Sequence, residues 1–383
     1  MYIKKTIYLI YNKLLNWMQK CLQINPGETG LGVTWVKAEK YLSQNVSFLN
    51  KYFEGLNKKK SIKWIRSTNF TKYGLFLVKD AFVLSVPYDS SITSKNRKIY
   101  TASKIYQPII STQKTDTFHA MKYLMLNRRV LNKLEIKGRT VLLGAYFADS
   151  KNYFHFWLDV IGDIWYLEEM GISLDSLDHI LILHSSTKWQ SEILALCNVP
   201  IEKILILSDF DLIKCELLIL PIRPKGGQVN PVWIVEALHK TSKWSYHENY
   251  KCKRKLYISR LDADRRKLIN ENDVIDLVSH LGFEVIECSK LTVEQQRKLF
   301  NSASIVIAPH GAALTNVVWM DKNSTLIELL PHQHAYPCFY DLARIIGLKY
   351  IAIECMQLDK NENPLFADVQ VSLNDIINVL LEV

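Results

Sequence analysis

The chain is poor in cysteine, and the few it has are not paired by spacing. The seven are Cys21, Cys197, Cys215, Cys252, Cys288, Cys338 and Cys355, an odd number with no CxxC among them. That spacing argues against a disulfide framework and against a cysteine zinc site. Several sit in apolar runs, so free, buried thiols of a reducing compartment are expected. No uninterrupted apolar run is long enough to span a bilayer, and no small-residue cleavage site follows the N-terminal apolar stretch. No GxGxxG follows an early strand, which disfavours a dehydrogenase. Short repeats and low-complexity tracts are absent. Positive charge is scattered rather than gathered into a stripe with interleaved aromatics, so nucleic acid is not expected as a partner.

What is present suits a soluble, enzyme-sized chain. Its 383 residues predict about two domains. With 48% hydrophobic and 22% charged residues it can build real cores. A net charge of +10 points to an anionic partner without naming it. Near the N-terminus, Tyr11, Leu14, Leu15, Met18, Cys21 and Leu22 recur at helical spacing among Lys4, Lys5, Lys13 and Lys20. Residues 1–24 read either as a basic amphipathic helix on a membrane surface or as a helix packed on the first domain.

The first hundred residues are weakly periodic, and Asn57–Lys60 reads as a solvated loop. Phe76–Val78 and Phe82–Val86 read as two strands, an antiparallel pair. From Val141 the pattern changes. Strands at Val141–Leu143, His179–Leu183, Ile204–Leu207 and Leu217–Leu220 alternate with helices at Trp157–Met170 and Lys188–Leu196. A second run follows, with strands at Leu256–Ser259, Glu284–Glu287, Ser304–Ala308, Thr325–Leu329 and Tyr350–Ile353. Its helices fall at Glu271–Leu281, stopped by Gly282, at Val293–Asn301 and at Phe339–Ile346. Such alternation predicts α/β architecture with parallel sheets covered on both faces. The polar, basic stretch Lys240–Lys255 reads as a linker. The expectation is two Rossmann-like domains, 1–245 and 246–383, facing across a cleft.

Ser304 to Asn316 carries the strongest chemical signal. A β-branched strand breaks at Pro309-His310-Gly311 and continues through Ala312, Ala313, Leu314, Thr315 and Asn316. A strand, a tight turn and a helix start leave backbone N–H groups free for an anion. An ordinary strand-to-helix turn accounts for the pattern equally well. In open α/β sheets ligands sit beyond the carboxyl ends of the strands, where Arg260, His310, Gly311 and Glu328 are expected. Arginine offers a fixed fork for a diphosphate. Glutamate accepts hydrogen bonds from ribose hydroxyls. Singly, a salt bridge or a strand-end carboxylate explains each; together they read as a nucleotide-diphosphate site. In the first domain Asn152 suits a helix N-cap. His155 and Asp159, four apart, share a helix face as a general base and its orienting partner, or as a core histidine.

Three blocks carry a family resemblance: Asn152-Tyr153-Phe154-His155 with Asp159; Tyr257-Ile258-Ser259-Arg260 with Arg265, Arg266, Asn270 and Glu271; and Ala308 to Asn316 ending in Ile327-Glu328-Leu329. In order and spacing they resemble glycosyltransferase family 61 over about residues 140–355, a domain-scale extent. The resemblance implies a GT-B fold and an inverting transfer from a nucleotide-sugar, usually a UDP-sugar, to a saccharide or glycolipid hydroxyl. Arg260, Arg265, His310, Gly311 and Ala312 would hold the diphosphate and Glu328 the ribose, with Thr315 and Asn316 shaping the turn. Asn152, His155 and Asp159 would face the acceptor, with His155 or Asp159 as the base. No cofactor beyond the nucleotide-sugar is implied, and no metal: Asp262-Ala263-Asp264 looks like a metal motif of another glycosyltransferase fold but lies beside arginines able to neutralise the diphosphate. Lacking a luminal anchor and paired cysteines, the chain is expected to be a bacterial, cytoplasmic enzyme of capsular or surface-polysaccharide synthesis working at the inner membrane face. A nucleotide-sugar epimerase or hydrolase on the same scaffold, or a non-catalytic subunit of a polysaccharide complex, are the rival expectations.

Overall fold

The computed structural model describes residues 62–66, 74–87, 97–102, 108–110, 132–144, 152–184, 186–222, 230–244, 254–334, 336–359 and 361–383. The basic segment 1–24, the loop Asn57–Lys60, Cys21, Cys252 and most of the expected linker lie outside them. Among the described residues no helix is long and apolar enough to cross a membrane.

The chain is mixed α/β with two sheets. It forms two compact units. Asn152–Leu158 and Lys188–Cys197 group with the C-terminal residues, while Asp159–Thr187 and the described residues from 198 to 222 group with the N-terminal ones.

The first unit holds β1 (Ile62–Arg66), β2 (Gly74–Pro87), β3 (Arg97–Ala102), β4 (Pro108–Ile110), β5 (Lys133–Leu142), β6 (His179–Ile182), β7 (Ile204–Ile206) and β8 (Leu212–Ile222). The sheet order is β4-β3-β2-β8-β5-β6-β7, with β1 on β2. Strands β8, β5, β6 and β7 are parallel, as alternation predicts. The sheet is nonetheless mixed, because β1, β2 and β3 add an antiparallel side. The expected pair Phe76–Val78 and Phe82–Val86 is one continuous strand. Its polar break, Lys79-Asp80, looks like a turn, yet β2 keeps its register with β8 on both sides while Asp80 adopts a left-handed φ of 48°.

The second unit contains β9 (Arg254–Ile258), β10 (Glu284–Ile286), β11 (Ala303–Pro309), β12 (Thr325–Pro331), β13 (Lys349–Gln357) and the short β14 (Val369–Gln370). Their order is β10-β9-β11-β12-β13-β14, parallel except for β14. Buried Tyr257, Ile307, Ile327 and Ile353 from four adjacent strands centre the core. A capping box between Thr292 and Gln295 starts the helix Val293–Asn301. Gly347, with a φ of 90° that only glycine adopts without strain, ends the helix Cys338–Ile346. From β9 the chain goes to β10 on one side and then crosses to β11 on the other. The strand order therefore reverses between β9 and β11, where α/β sheets open a ligand crevice beyond their carboxyl ends.

The helices are numbered α1 (Tyr153–His155), α2 (Gly162–Glu169), α3 (Lys188–Leu196), α4 (Ile234–Thr241), α5 (Glu271–His280), α6 (Val293–Asn301), α7 (Cys338–Ile346) and α8 (Leu373–Leu381). Between α1 and α2, where a single helix was expected, Phe156–Ile161 winds as a π-helical turn. Such turns are rare and occur often at functional sites. The five described cysteines, Cys197, Cys215, Cys288, Cys338 and Cys355, are free and buried. Burial pushes each thiol up to about 12, which leaves them unreactive as nucleophiles.

Candidate active site

Strand β9 ends at Ile258 and β11 at Pro309, so the next residues, Ser259-Arg260 and His310-Gly311, flank the switch point. Glu271, 2% exposed, fixes the end of β9: its Oε1 accepts from the Arg260 amide at 2.7 Å and from the Tyr257 hydroxyl at 3.1 Å. The Arg260 guanidinium then lies on Gly311. A Cβ there would stand 1.8 Å from Arg260 Nη1. Gly311 is thus required by the close approach of an arginine. Its φ of −177° is extended backbone open to any residue.

Arg260 and Arg266 build a cationic cradle with Arg265. Arg260 Nη2 donates to the Arg265 carbonyl at 3.2 Å. Arg266 takes a left-handed φ of 52°, an uncommon conformation for a residue with a Cβ. Its Nη1 donates to His334 Nε2 at 2.7 Å. The Nε atoms of Arg260 and Arg266 are both buried without a hydrogen-bond partner. Burial lowers the pKa of both groups, and the neighbouring Arg260 and Arg265 charges help bring Arg266 down to about 10. Buried polar groups are normally satisfied. Crowded guanidinium groups with unused N–H donors suit an anionic ligand. Asp262 and Asp264 are exposed, and Asp262 acts on Arg260 as a nearby counter-charge. No group of three or more His, Cys, Asp or Glu side chains arranged to hold a metal occurs among the described residues.

His310 is buried, and its Nδ1 bonds Glu328 Oε1 at 2.5 Å. The Tyr350 hydroxyl donates to Glu328 Oε2 at 2.6 Å. Glu328 has no exposed surface and both its oxygens are engaged. Burial, rather than the two bonds alone, keeps Glu328 out of reach of a ribose hydroxyl in this conformation. Thr315 and Asn316 are likewise fully buried. Thr315 Oγ1 donates to the Ala312 carbonyl at 2.7 Å and Asn316 Nδ2 to the Ala313 carbonyl at 3.1 Å. These bonds reach back three residues, which matches the winding of Ala312–Trp319 as a 3-10 helix. Both residues shape the turn from inside, and Ala312, half-buried, opens it.

The first block enters the same unit. Asn152 caps α1, its Oδ1 accepting from the Phe154 and His155 amides at 3.0 and 3.3 Å. The Tyr153 hydroxyl donates to Asn316 Oδ1 at 3.1 Å, and burial raises its pKa, keeping the phenol protonated. Phe154 packs edge-on against Phe339, whose ring is 5.2 Å from that of His310. His155 packs edge-on against Phe154. Asp159 apart, the three sequence blocks therefore meet within the second unit. Asp159 lies in the π-helical turn, 2% exposed, and belongs to the first unit.

His334 and Tyr350 escaped the sequence reading, and Arg266 and Glu271 appeared in it only as parts of a block. The signal for His334 was positional: it follows the carboxyl end of β12 as Arg260 and His310 follow theirs. Burial and then the charges of Arg266, His310 and Arg265 push its pKa down to about 4, so it sits neutral and accepts the Arg266 bond.

A cationic cradle at the switch point of a parallel α/β unit has the chemistry to hold an anion. Residues 153–327 match the family model described as Glycosyltransferase 61, so this stretch of the chain is similar to that family. The alpha-1,3-arabinosyltransferase XAT3 of Oryza sativa subsp. japonica is 32% identical over 92 residues, 22% of this chain and 16% of that protein. The EGF domain-specific O-linked N-acetylglucosamine transferase of Gallus gallus is 30% identical over 94 residues, 23% of this chain and 17% of that protein. The beta-1,2-xylosyltransferase of Arabidopsis thaliana is 28% identical over 100 residues, 23% of this chain and 19% of its own length. The chain thus matches less than a fifth of the length of each of these relatives.

Proposed function

We propose that the chain is an inverting glycosyltransferase that moves a sugar from a nucleotide-sugar, a UDP-sugar above all, to a hydroxyl of a saccharide or glycolipid in surface-polysaccharide synthesis. The two α/β units would be the halves of a GT-B-type enzyme. Support comes chiefly from the unpartnered, buried Nε atoms of Arg260 and Arg266 at the switch point. They mark where a diphosphate would complete the hydrogen bonding. The relatives are named as arabinosyl-, N-acetylglucosaminyl- and xylosyltransferases, which agrees with a sugar donor.

Inversion is a single in-line displacement at the anomeric carbon. The acceptor oxygen bonds to that carbon, the bond to the diphosphate oxygen breaks, and a base takes the acceptor proton. Charge grows on the leaving diphosphate, where fixed N–H donors act most strongly. Arg260, Arg265 and Arg266, with the His310-Gly311 turn, would supply these donors. His155 is the proposed base and Asp159 the alternative. Mass spectrometry after incubation with a panel of nucleotide-sugars and saccharide acceptors tests the reaction. A glycosylated acceptor is expected; donor consumed without any acceptor product would indicate a hydrolase or epimerase instead. On the productive pair, His155→Ala should lower kcat by about 10²–10⁴ with donor affinity unchanged. Turnover kept in His155→Ala and lost in a folded Asp159→Ala would move the role to Asp159.

A further inference from the structure

We propose that Phe366 is the stacking platform for the base of the nucleoside diphosphate held in the arginine cradle; the proposal rests on the donor-site reading above. Phe366 is 49% exposed, and neighbouring Leu365 is 44% exposed. An exposed phenylalanine alone would mean little. This one is held in a fixed place beside the cradle. Its carbonyl accepts from the Arg266 amide at 3.1 Å, and its own amide donates to the Asn363 carbonyl at 2.8 Å. The segment that follows is laced to the arginine loop: Val369 N donates to the Lys267 carbonyl, and Ile269 N to the Val369 carbonyl, both at 2.9 Å. The Lys267 amide also donates to Asp368 Oδ1 at 2.8 Å. The Arg265 guanidinium lies 5.8 Å from the centre of the Phe366 ring.

The outcome is a flat apolar surface, half in water, one side chain away from cations with unused donors. That pairing fits a ligand with a diphosphate at one end and a flat aromatic group at the other. A nucleoside diphosphate has that form, with the ribose bridging the two. Stacking on an aromatic ring is tolerant of base identity, because every base has a π-face. Tyr336, 41% exposed, is another aromatic near the cradle, but its ring already packs on His334 at 4.5 Å. Phe366 has Arg265 at its ring and no second aromatic on it among the described residues.

Calorimetric titration with two probes, UDP and inorganic pyrophosphate, separates the platform from the cradle. Phe366→Ala and Phe366→Leu should weaken UDP binding about tenfold or more and leave pyrophosphate binding unchanged. Phe366→Trp should keep UDP binding. Leucine retains apolar packing but not the π-face, so loss in both variants identifies stacking. Arg260→Ala should weaken both probes. Wild-type UDP affinity in Phe366→Ala, with both probes lost in Arg260→Ala, would overturn the platform and leave the cradle standing. Pyrophosphate binding unaffected by Arg260→Ala would overturn the cradle and the platform with it.

Discussion

His334 accepts a hydrogen bond from Arg266 through Nε2, so that nitrogen stays unprotonated while the bond lasts. Burial and the surrounding cations put its folded pKa at about 4. An unfolded histidine titrates near about 6.5. Between those values the unfolded chain binds a proton that the folded chain refuses. The contribution is therefore present in full above about pH 6.5 and is lost as pH falls toward about 4. The urea midpoint of the wild type should drop across this window. His334→Gln keeps an acceptor for Arg266 but cannot titrate, so its midpoint should drop less. Parallel pH curves for the two proteins would show that another group governs acid stability. Glu328 marks how far a residue's role was legible beforehand. Its position at a strand end could be read, because β12 is a plain apolar run. Its side-chain partners could not, because β12 is buried on both faces and the run Thr-Leu-Ile-Glu-Leu-Leu lacks the alternation that would say where Glu328 points.

The decisive element is the strand, turn and 3-10 helix from Ala303 to Trp319. Gly311 in its turn leaves room for Arg260, so Gly311→Ala should act on binding with little effect on folding. The extended backbone at Gly311 accepts alanine without strain, and the clashing atom is the far end of a flexible side chain. The guanidinium must swing away. A charge-assisted hydrogen bond contributes about 1.5–3 kcal/mol, so UDP affinity should fall roughly 10- to 150-fold, close to the loss in Arg260→Ala. The double variant should lose little more, since both changes remove the same group. Wild-type UDP affinity in Gly311→Ala, or full additivity of the two changes, would sink this account. Legibility at this scale followed period and caps. Helices α3 and α6 fall at the expected residues because their apolar spacing is helical, and α6 is fixed by its capping box. The antiparallel side of the first sheet, β14 and α8 were not foreseen. Strand pairing joins residues far apart in sequence, as Leu84 to Leu212 in β2 and β8, and no local pattern encodes that partner. The π-helical turn was also missed, because its apolar run Phe-Trp-Leu-Asp-Val-Ile fits an α-helix equally well.

At the scale of the whole molecule, 48 basic against 38 acidic residues give the excess of +10. The part that matters for chemistry is local. Arg260, Arg265 and Arg266 stand within one short loop, and two of them keep a buried Nε unused. A diphosphate leaving group needs its growing charge neutralised, by a divalent cation or by fixed cationic donors. Arginine cannot be deprotonated at working pH and offers forked donors, so this loop can meet the need without an ion. Transfer should therefore persist after prolonged dialysis against EDTA, at a rate that added magnesium or manganese does not raise. Salt should matter more: the proposed donor site attracts its ligand electrostatically, so the KM for donor should rise with ionic strength while kcat changes little. Loss of transfer in EDTA, restored by manganese or magnesium, would shift the neutralising role to a bound cation. The exposed carboxylates Asp262 and Asp264, beside Arg260, would then be the first ligands to test, by Asp262→Asn and Asp264→Asn with metal affinity as the readout.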